Sequence, residues 1–437
     1  MSENLLPGYA RSELAAAVEG RREWAVEALK ELVRQPTVLG QEEPGQRVAA
    51  RLFQDLGYRV ETQTIHLEEI RELPGFSPVD WTLEGKQNVV GVHDPGENRG
   101  RSLIFNGHVD VVSPEPAKLW GSPPFEPRIE EDGPDGERWM YGRGAGDMKG
   151  GTVCYLWALR ALKDLGAEPA SKVILQSVVE EECTGNGALS LLQRGFTADA
   201  AIIPEPFNET ILVAQVGVLW FRIRILGKTT HVLGAGEGIN AIEKSWPIIR
   251  ALRSLEEELN VPENVPELYR DVDHPLNLNV GTIQGGDWQS TVAGECVTGF
   301  RLGLFPGESL EVVKSLVEDR VEAAAQEEAW LRENPPSLEW VGFQAEGSEF
   351  DPESPPGQVL QKAHREWRGR DPEQLKCTAT TDVRFFNNYY GIPATCYGPK
   401  AVAIHGVDEK VSLDSMQRVA EVLCSFVQDW TLLRRSP

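Results

Sequence analysis

Four short segments carry residues that could do chemistry together: Asn106-Gly107-His108-Val109-Asp110, the bend Tyr141-Gly142-Arg143-Gly144-Ala145-Gly146-Asp147-Met148-Lys149-Gly150, Glu180-Glu181-Glu182, and Pro204-Glu205-Pro206. In His108-x-Asp110 both side chains of an extended chain point to one side, so Asp110 is expected to accept the second ring N–H of His108. That bond would fix which nitrogen faces a metal. Three consecutive glutamates after an apolar strand are costly unless a cation or protonation compensates them, and Glu205 is similarly held between prolines. The alternative for 180–182 is a solvated acidic loop. Zinc or a similar ion takes imidazole and carboxylate ligands, and a catalytic site leaves a position for water, whose pKa the ion lowers. Two ions need a shared ligand, and Asp147 is the natural bridge. His108 and Glu205 then serve one ion, and Glu182 with His405 the other. A phosphate cradle is the competing reading of the glycine-rich bend, but GxxxxGK[ST] and GxGxxG are both unmatched and an acid at the tip repels phosphate.

The elements that must position these residues follow from the apolar pattern. Residues 11–35 read as a helix ending at Pro36, and 48–56 as a second closed by Gly57. Apolar runs at 58–60, 88–92, 103–105, 173–179 and 200–203, with a helix over 152–165, predict a largely parallel α/β sheet with function at the strand ends. From about 214 the pattern changes to alternation, as in Phe221, Ile223 and Ile225 against Arg222 and Arg224. A helix over 238–259, strands near 277–283 and 295–304, a helix over 308–325 and a strand over 338–343 complete a β-α-β-β-α-β order, expected to be an inserted ferredoxin-like domain. The remaining segment carries a helix over 357–368, Thr380-Thr381-Asp382-Val383-Arg384, a strand near 393–397, His405 and a closing helix over 412–430. The division expected is 1–213 and 347–437 for the catalytic domain and 214–346 for the insert.

Bulk properties narrow the function. A chain of 437 residues exceeds one ordinary core, and 41% hydrophobic with 25% charged residues is ordinary for a soluble protein. A formal charge of -24 argues against nucleic acid or an anionic membrane as partner. The 6 cysteines lack CxxC spacing, so neither a disulfide framework nor a thiolate zinc site is expected. With no basic-then-apolar leader and no run of 18 apolar residues, the expected location is the cytoplasm. His66, His93, His274 and His364 belong to no motif and are expected to be surface or structural.

The chain resembles the M20-family dinuclear zinc hydrolases, near the acetylornithine deacetylase/succinyl-diaminopimelate desuccinylase branch, with aminoacylases and carboxypeptidases as cousins. The resemblance spans nearly the whole chain. It rests on Gly107 to Asp110, Tyr141 to Gly150, Glu180 to Glu182, Glu205-Pro206, Gly227 to His231 with Gly238 to Ala241, Gly285-Gly286, Thr381-Asp382, and Gly398-Pro399 followed by His405. It implies a zinc-exopeptidase-like fold with a mixed, largely parallel sheet flanked by helices and an inserted ferredoxin-like α+β domain that makes a homodimer. It implies two divalent ions, zinc first and cobalt or manganese as alternatives, bridged by Asp147 and held by His108, Glu205, Glu182 and His405. Glu181 would be general base, Asp110 would orient His108, and a cis bond would follow Asp147. The family usually has Asp-Glu-Glu where this chain has Glu180-Glu181-Glu182, so the frame is set by counting to Gly187-Ala188; the alternative is that base and ligand are both shifted by one. Arg301, Arg384 and Asn279 fall at family-like substrate positions, and His231 would reach across the dimer to hold the carbonyl oxygen.

The implied reaction is removal of an acetyl, succinyl or formyl group from an N-acyl amino acid or small amine, by attack of a dizinc-bridging hydroxide. A dipeptidase or carboxypeptidase of the same family is the alternative. A non-catalytic metal-bound scaffold would need no base, and a serine hydrolase would carry GxSxG, which is absent.

Overall fold

The computed structural model describes residues 5–436 except 132, 134 and 135. Six strands form the central sheet in the order Arg59–Thr64, Gln87–His93, Val173–Val178, Leu103–His108, Ala201–Ile203, Ala394–Cys396. The last four run parallel and the first two are added by antiparallel pairing, so that only Gln87–His93 runs opposite to the rest and the sheet is mixed and largely parallel, as the apolar runs predict. Burial on both faces explains why those runs are continuous. Leu103, Phe105, Val173, Leu175 and Ile202 face one helical layer, in which Gly151–Asp164 and Leu413–Thr431 are central. Ile104, Ile174, Ala201 and Ile203 face the other, beneath Asn186–Gln193, a helix the sequence reading did not place.

Parallel register brings the chemical segments to one sheet edge. His108 pairs opposite Val178, two residues before Glu180, and Glu205 lies two residues beyond Ala201–Ile203. The expected strand at 103–105 runs on to His108, so the histidine is a strand residue rather than part of the following loop. The single helix expected over 11–35 is two, Arg11–Glu19 and Arg22–Val33. At the break the buried indole of Trp157 donates at 2.7 Å to the carbonyl of Val18, which also accepts the Arg21 amide at 3.0 Å.

The second sheet has the order Leu278–Gly285, Glu295–Leu304, Gly217–Leu226, Ser337–Ala345 and is antiparallel throughout. Phe221, Ile223 and Ile225 alternate into a core covered by Ala241–Leu259 and Leu310–Glu327, which is the β-α-β-β-α-β order read from the pattern. A short helix, Ala329–Glu333, is added before the last strand. A smaller sheet pairs Trp139–Tyr141 with Lys410–Ser412, itself paired with Ala401–Val402. This ladder lays the loop carrying His405 beside the bend carrying Asp147.

Candidate metal centre

The bend keeps its shape through contacts that only glycine permits. Gly144 has φ 76°, and a Cβ on Gly151 would lie 1.8 Å from the carbonyl oxygen of Pro204, the residue before Glu205. The helix start and the Glu205 turn are therefore in direct backbone contact. The buried carboxylate of Glu409 gathers the bend by accepting the amides of Gly144, Gly146 and Asp147 at 3.1, 2.9 and 3.0 Å, and it is ion-paired with buried Arg143. The bond between Asp147 and Met148 is cis, as the resemblance implies.

Asp147 presents its two oxygens to two different imidazoles. Oδ1 lies 3.1 Å from His108 Nε2 and Oδ2 lies 3.3 Å from His405 Nε2. Glu205 Oε1 and Glu181 Oε2 are each 3.8 Å from His108 Nε2, while Glu182 Oε2 is 3.0 Å from His405 Nε2. His108 with Glu205 and Glu181 thus lies on one side of Asp147, and His405 with Glu182 on the other. Single atoms of His108, Asp147 and Glu182 also lie within 4.8 Å of one another. Asp110 differs in detail from expectation. His108 Nδ1 meets the backbone carbonyl of Asp110 at 2.9 Å, and the carboxylate is 3.8 Å away, because its Oδ2 is occupied by the Glu182 amide at 3.0 Å. Asp110 still ties the His108 strand to the Glu182 turn.

Of the three glutamates, Glu180 is drawn off the site. It is 0% exposed, ion-paired with Lys86 and bonded to Thr184, while Glu181 and Glu182 line the cavity. Glu180 has φ 72° and His405 φ 60°, conformations costing about 1–3 kcal/mol each in a non-glycine residue, and both are at this site.

The electrostatics fit a cationic occupant. Glu182 Oε1, Glu205 Oε1 and Asp110 Oδ1 are buried without a hydrogen-bond partner among the described residues. Burial holds the carboxyls of Glu181 and Glu205 well above the usual range and pushes Asp110 and Asp382 up to about 7. For His405, burial opposes the charge, but Glu182 and Asp147 outweigh it and raise the ring to about 11. Alone, the cluster makes Glu181, Glu205, His108 and His405 hold protons more readily than usual, while the two imidazoles keep Asp147 ionised against its burial; divalent ions would satisfy the same oxygens and nitrogens, and the donor set of imidazoles and carboxylates suits them.

The cluster opens on a cavity of about 630 Å³ between the two sheets. Arg301 and Asn279 line it, and Arg301 donates to the carbonyls of Asn277 and Thr378 at 3.0 and 2.9 Å. Arg384, expected to contact substrate, is 0% exposed and does not line the cavity. Its guanidinium donates to the carbonyls of Thr184 and Gly75 at 2.6 and 3.3 Å, so it braces the turn after Glu182. His231 is exposed and does not line the cavity; its Nδ1 accepts the Leu233 amide at 3.0 Å, leaving Nε2 as the nitrogen available to a ligand. Sequence reasoning missed Glu409, Arg143 and Lys86 as the site's supports. Glu409 lies in the run Asp408-Glu409-Lys410, which has the composition of a solvated loop and no signal of its burial.

Residues 104–429 match the model of peptidase family M20/M25/M40. The chain is 31% identical over 377 residues to N-formyl-4-amino-5-aminomethyl-2-methylpyrimidine deformylase of Bacillus subtilis, covering 82% of this chain and 86% of that protein. It is 27% identical to a succinyl-diaminopimelate desuccinylase of Bradyrhizobium, covering 91% and 97%. Its fold superposes on a di-peptidase of Saccharomyces cerevisiae with a TM-score of 0.78 at 15% identity, covering 97% and 98%. With its family signature matched through every segment that builds the site, the chain belongs to peptidase family M20/M25/M40 and is a hydrolase of amide bonds.

Proposed function

We propose that this protein is a metal-dependent amidohydrolase that removes a small acyl group, of formyl, acetyl or succinyl type, from an N-acyl amino acid or small amine. The observation that carries this reading is Asp147, whose two oxygens face His108 and His405 separately, with Glu181 on the same cavity. His108, Glu205 and Asp147 would hold one divalent ion, and Glu182, His405 and Asp147 the other, zinc being the ion that such ligands suit best. Bound ions of this kind supply Lewis acidity, which acidifies water and polarises a carbonyl. Glu181 takes the proton of the attacking water and passes it to the departing amine nitrogen. Its buried position supports both halves of that task, since burial raises the carboxyl towards the working pH. Asp110 positions, through its carbonyl and carboxylate, a ligand of each ion. That two relatives are named a deformylase and a desuccinylase supports acyl removal over peptide cleavage.

Residues 214–346 are read as an inserted domain between two parts of the catalytic domain, 1–213 and 347–437. Around His231, Leu233 is 92% exposed and Trp288 69% exposed, apolar surface that a second copy would cover, in support of a homodimer in which His231 serves the partner's site. All 6 cysteines are unpaired and buried, in keeping with a reducing cytoplasm. Among the described residues no helix is long and apolar enough to cross a membrane.

The test is amine release by zinc-loaded protein from N-formyl, N-acetyl and N-succinyl amino acids and amines, set beside dipeptides. Turnover of dipeptides with none of the N-acyl compounds would replace this reading with a dipeptidase.

A further inference from the structure

Trp81 lies on the cavity wall together with Glu181, Glu182 and His405, and it is fixed there. Its indole Nε1 donates to the two oxygens of Glu180 at 3.0 and 3.2 Å. Glu180 is itself immobilised by Lys86 and by the Thr184 hydroxyl at 3.1 Å, so the orientation of Trp81 is set by the residue immediately before Glu181. The loop carrying Trp81 is fastened to the second sheet as well. The Gly342 amide donates to the Pro78 carbonyl at 2.8 Å, the Gln344 amide donates to Ser77 Oγ at 3.0 Å, and Arg222 pairs with Asp80. On that sheet Trp220 and Phe343 meet edge to face, centroids 5.2 Å apart, and line the same cavity.

Three held rings are an expensive way to line a pocket for an aliphatic chain, which gains only burial from them. A flat ring gains offset stacking or edge-to-face contact in addition. The arginines of the lining are committed elsewhere, Arg222 to Asp80 and Arg301 to two backbone carbonyls, so the wall offers planar apolar contact more readily than an open charge. We propose that Trp81 is a specificity-determining residue, and that it selects substrates whose amine half carries a flat aromatic or heteroaromatic ring next to the scissile amide. The proposal rests on the amidohydrolase reading of the site.

The test compares N-formylbenzylamine with N-formyl(cyclohexylmethyl)amine on the zinc-loaded full chain. The two are alike in size and differ in planarity. The parent should prefer the benzyl compound by roughly tenfold in kcat/KM, carried by KM. Trp81→Leu should bring the ratio close to one, and Trp81→Phe, which keeps a ring, should retain most of it. A ratio near one in the parent, or an unchanged ratio in Trp81→Leu, overturns the proposal. Calorimetric binding of benzylamine and cyclohexylmethylamine to the parent gives the same comparison without turnover, and it decides the matter if Trp81→Leu fails to fold. If no amide is hydrolysed yet benzylamine binds roughly tenfold more tightly, the reaction falls and the ring selectivity stands. If amides are hydrolysed with no ring preference in rate or binding, the selectivity alone falls.

Discussion

Replacing Glu181 and Glu182 separately with glutamine should damage this site in two distinguishable ways. Glu181 is 7% exposed and lines the cavity, and its nearest imidazole nitrogen is 3.8 Å away; Glu182 is 3.0 Å from His405 and has a second, unpartnered oxygen. Glutamine preserves volume at both positions but cannot take a proton. Glu181→Gln should therefore keep about two ions per chain while losing about 10²–10⁴ in kcat, or roughly 3–5 kcal/mol of barrier. Glu182→Gln removes a ligand, and since changes merely behind a ligand cost about 10–100-fold in metal affinity, its loss should be at least that large. The metal-free proteins supply an independent check. Burial raises the Glu181 carboxyl above its unfolded value of 4.5, so its contribution to stability is present below that value and is lost as pH rises towards the folded pKa. Metal-free Glu181→Gln escapes the loss and should melt above the parent, by a margin that widens from about pH 4.5 upwards. The assays are metal content after gel filtration, steady-state kinetics, and melting of the chelated proteins from pH 5 to pH 8. Metal loss in Glu181→Gln with retention in Glu182→Gln would exchange the two roles and refute the reasoning.

Three further outcomes are expected. Because His405 is held to about 11 by Glu182 and Asp147 against the effect of burial, its ring must lose a proton to bind an ion, so metal affinity falls as pH falls. Calorimetry in buffers of different ionisation enthalpy should show at least about one proton released as the ions bind, and none would contradict it. His364 is 1% exposed, its Nδ1 is 2.7 Å from the Tyr397 hydroxyl, and burial lowers it to about 4 from 6.5. The stability it provides is present above the unfolded value and lost as pH falls towards about 4, costing the protein roughly 1–3 kcal/mol, and His364→Gln should flatten that part of the denaturation profile. His231→Ala and Glu181→Ala should each be nearly inactive, yet mixed and reassembled subunits should recover roughly a quarter of the sites. Activity left at the single-mutant level after exchange is confirmed by mass would place His231 in its own chain's service or in none.

The parts of this molecule legible in its sequence are those in which a residue's local setting and its final environment agree. Leu103 to Phe105 and Val173 to Val178 read as doubly covered strands because they are buried on both faces, and parallel pairing then delivers His108, Glu181, Glu182 and Glu205 to one edge. Phe221, Ile223 and Ile225 alternate because only one face of their sheet is covered by its two helices. Residues whose partners are remote in the chain were not legible. Arg384 has the type and position of a substrate ligand, but the carbonyls of Thr184 and Gly75 claim it, and nothing near Arg384 records that they will be there. Glu409 is the sharper case. Its oxygens hold three amide donors of the Asp147 bend, those of Gly144, Gly146 and Asp147, some 260 positions away, and a neutral residue there would leave buried Arg143 without its counter-charge. The bend is therefore only half encoded by its own glycines. They make the turn sterically possible, and the distant carboxylate selects the arrangement that points the two oxygens of Asp147 at two different imidazoles.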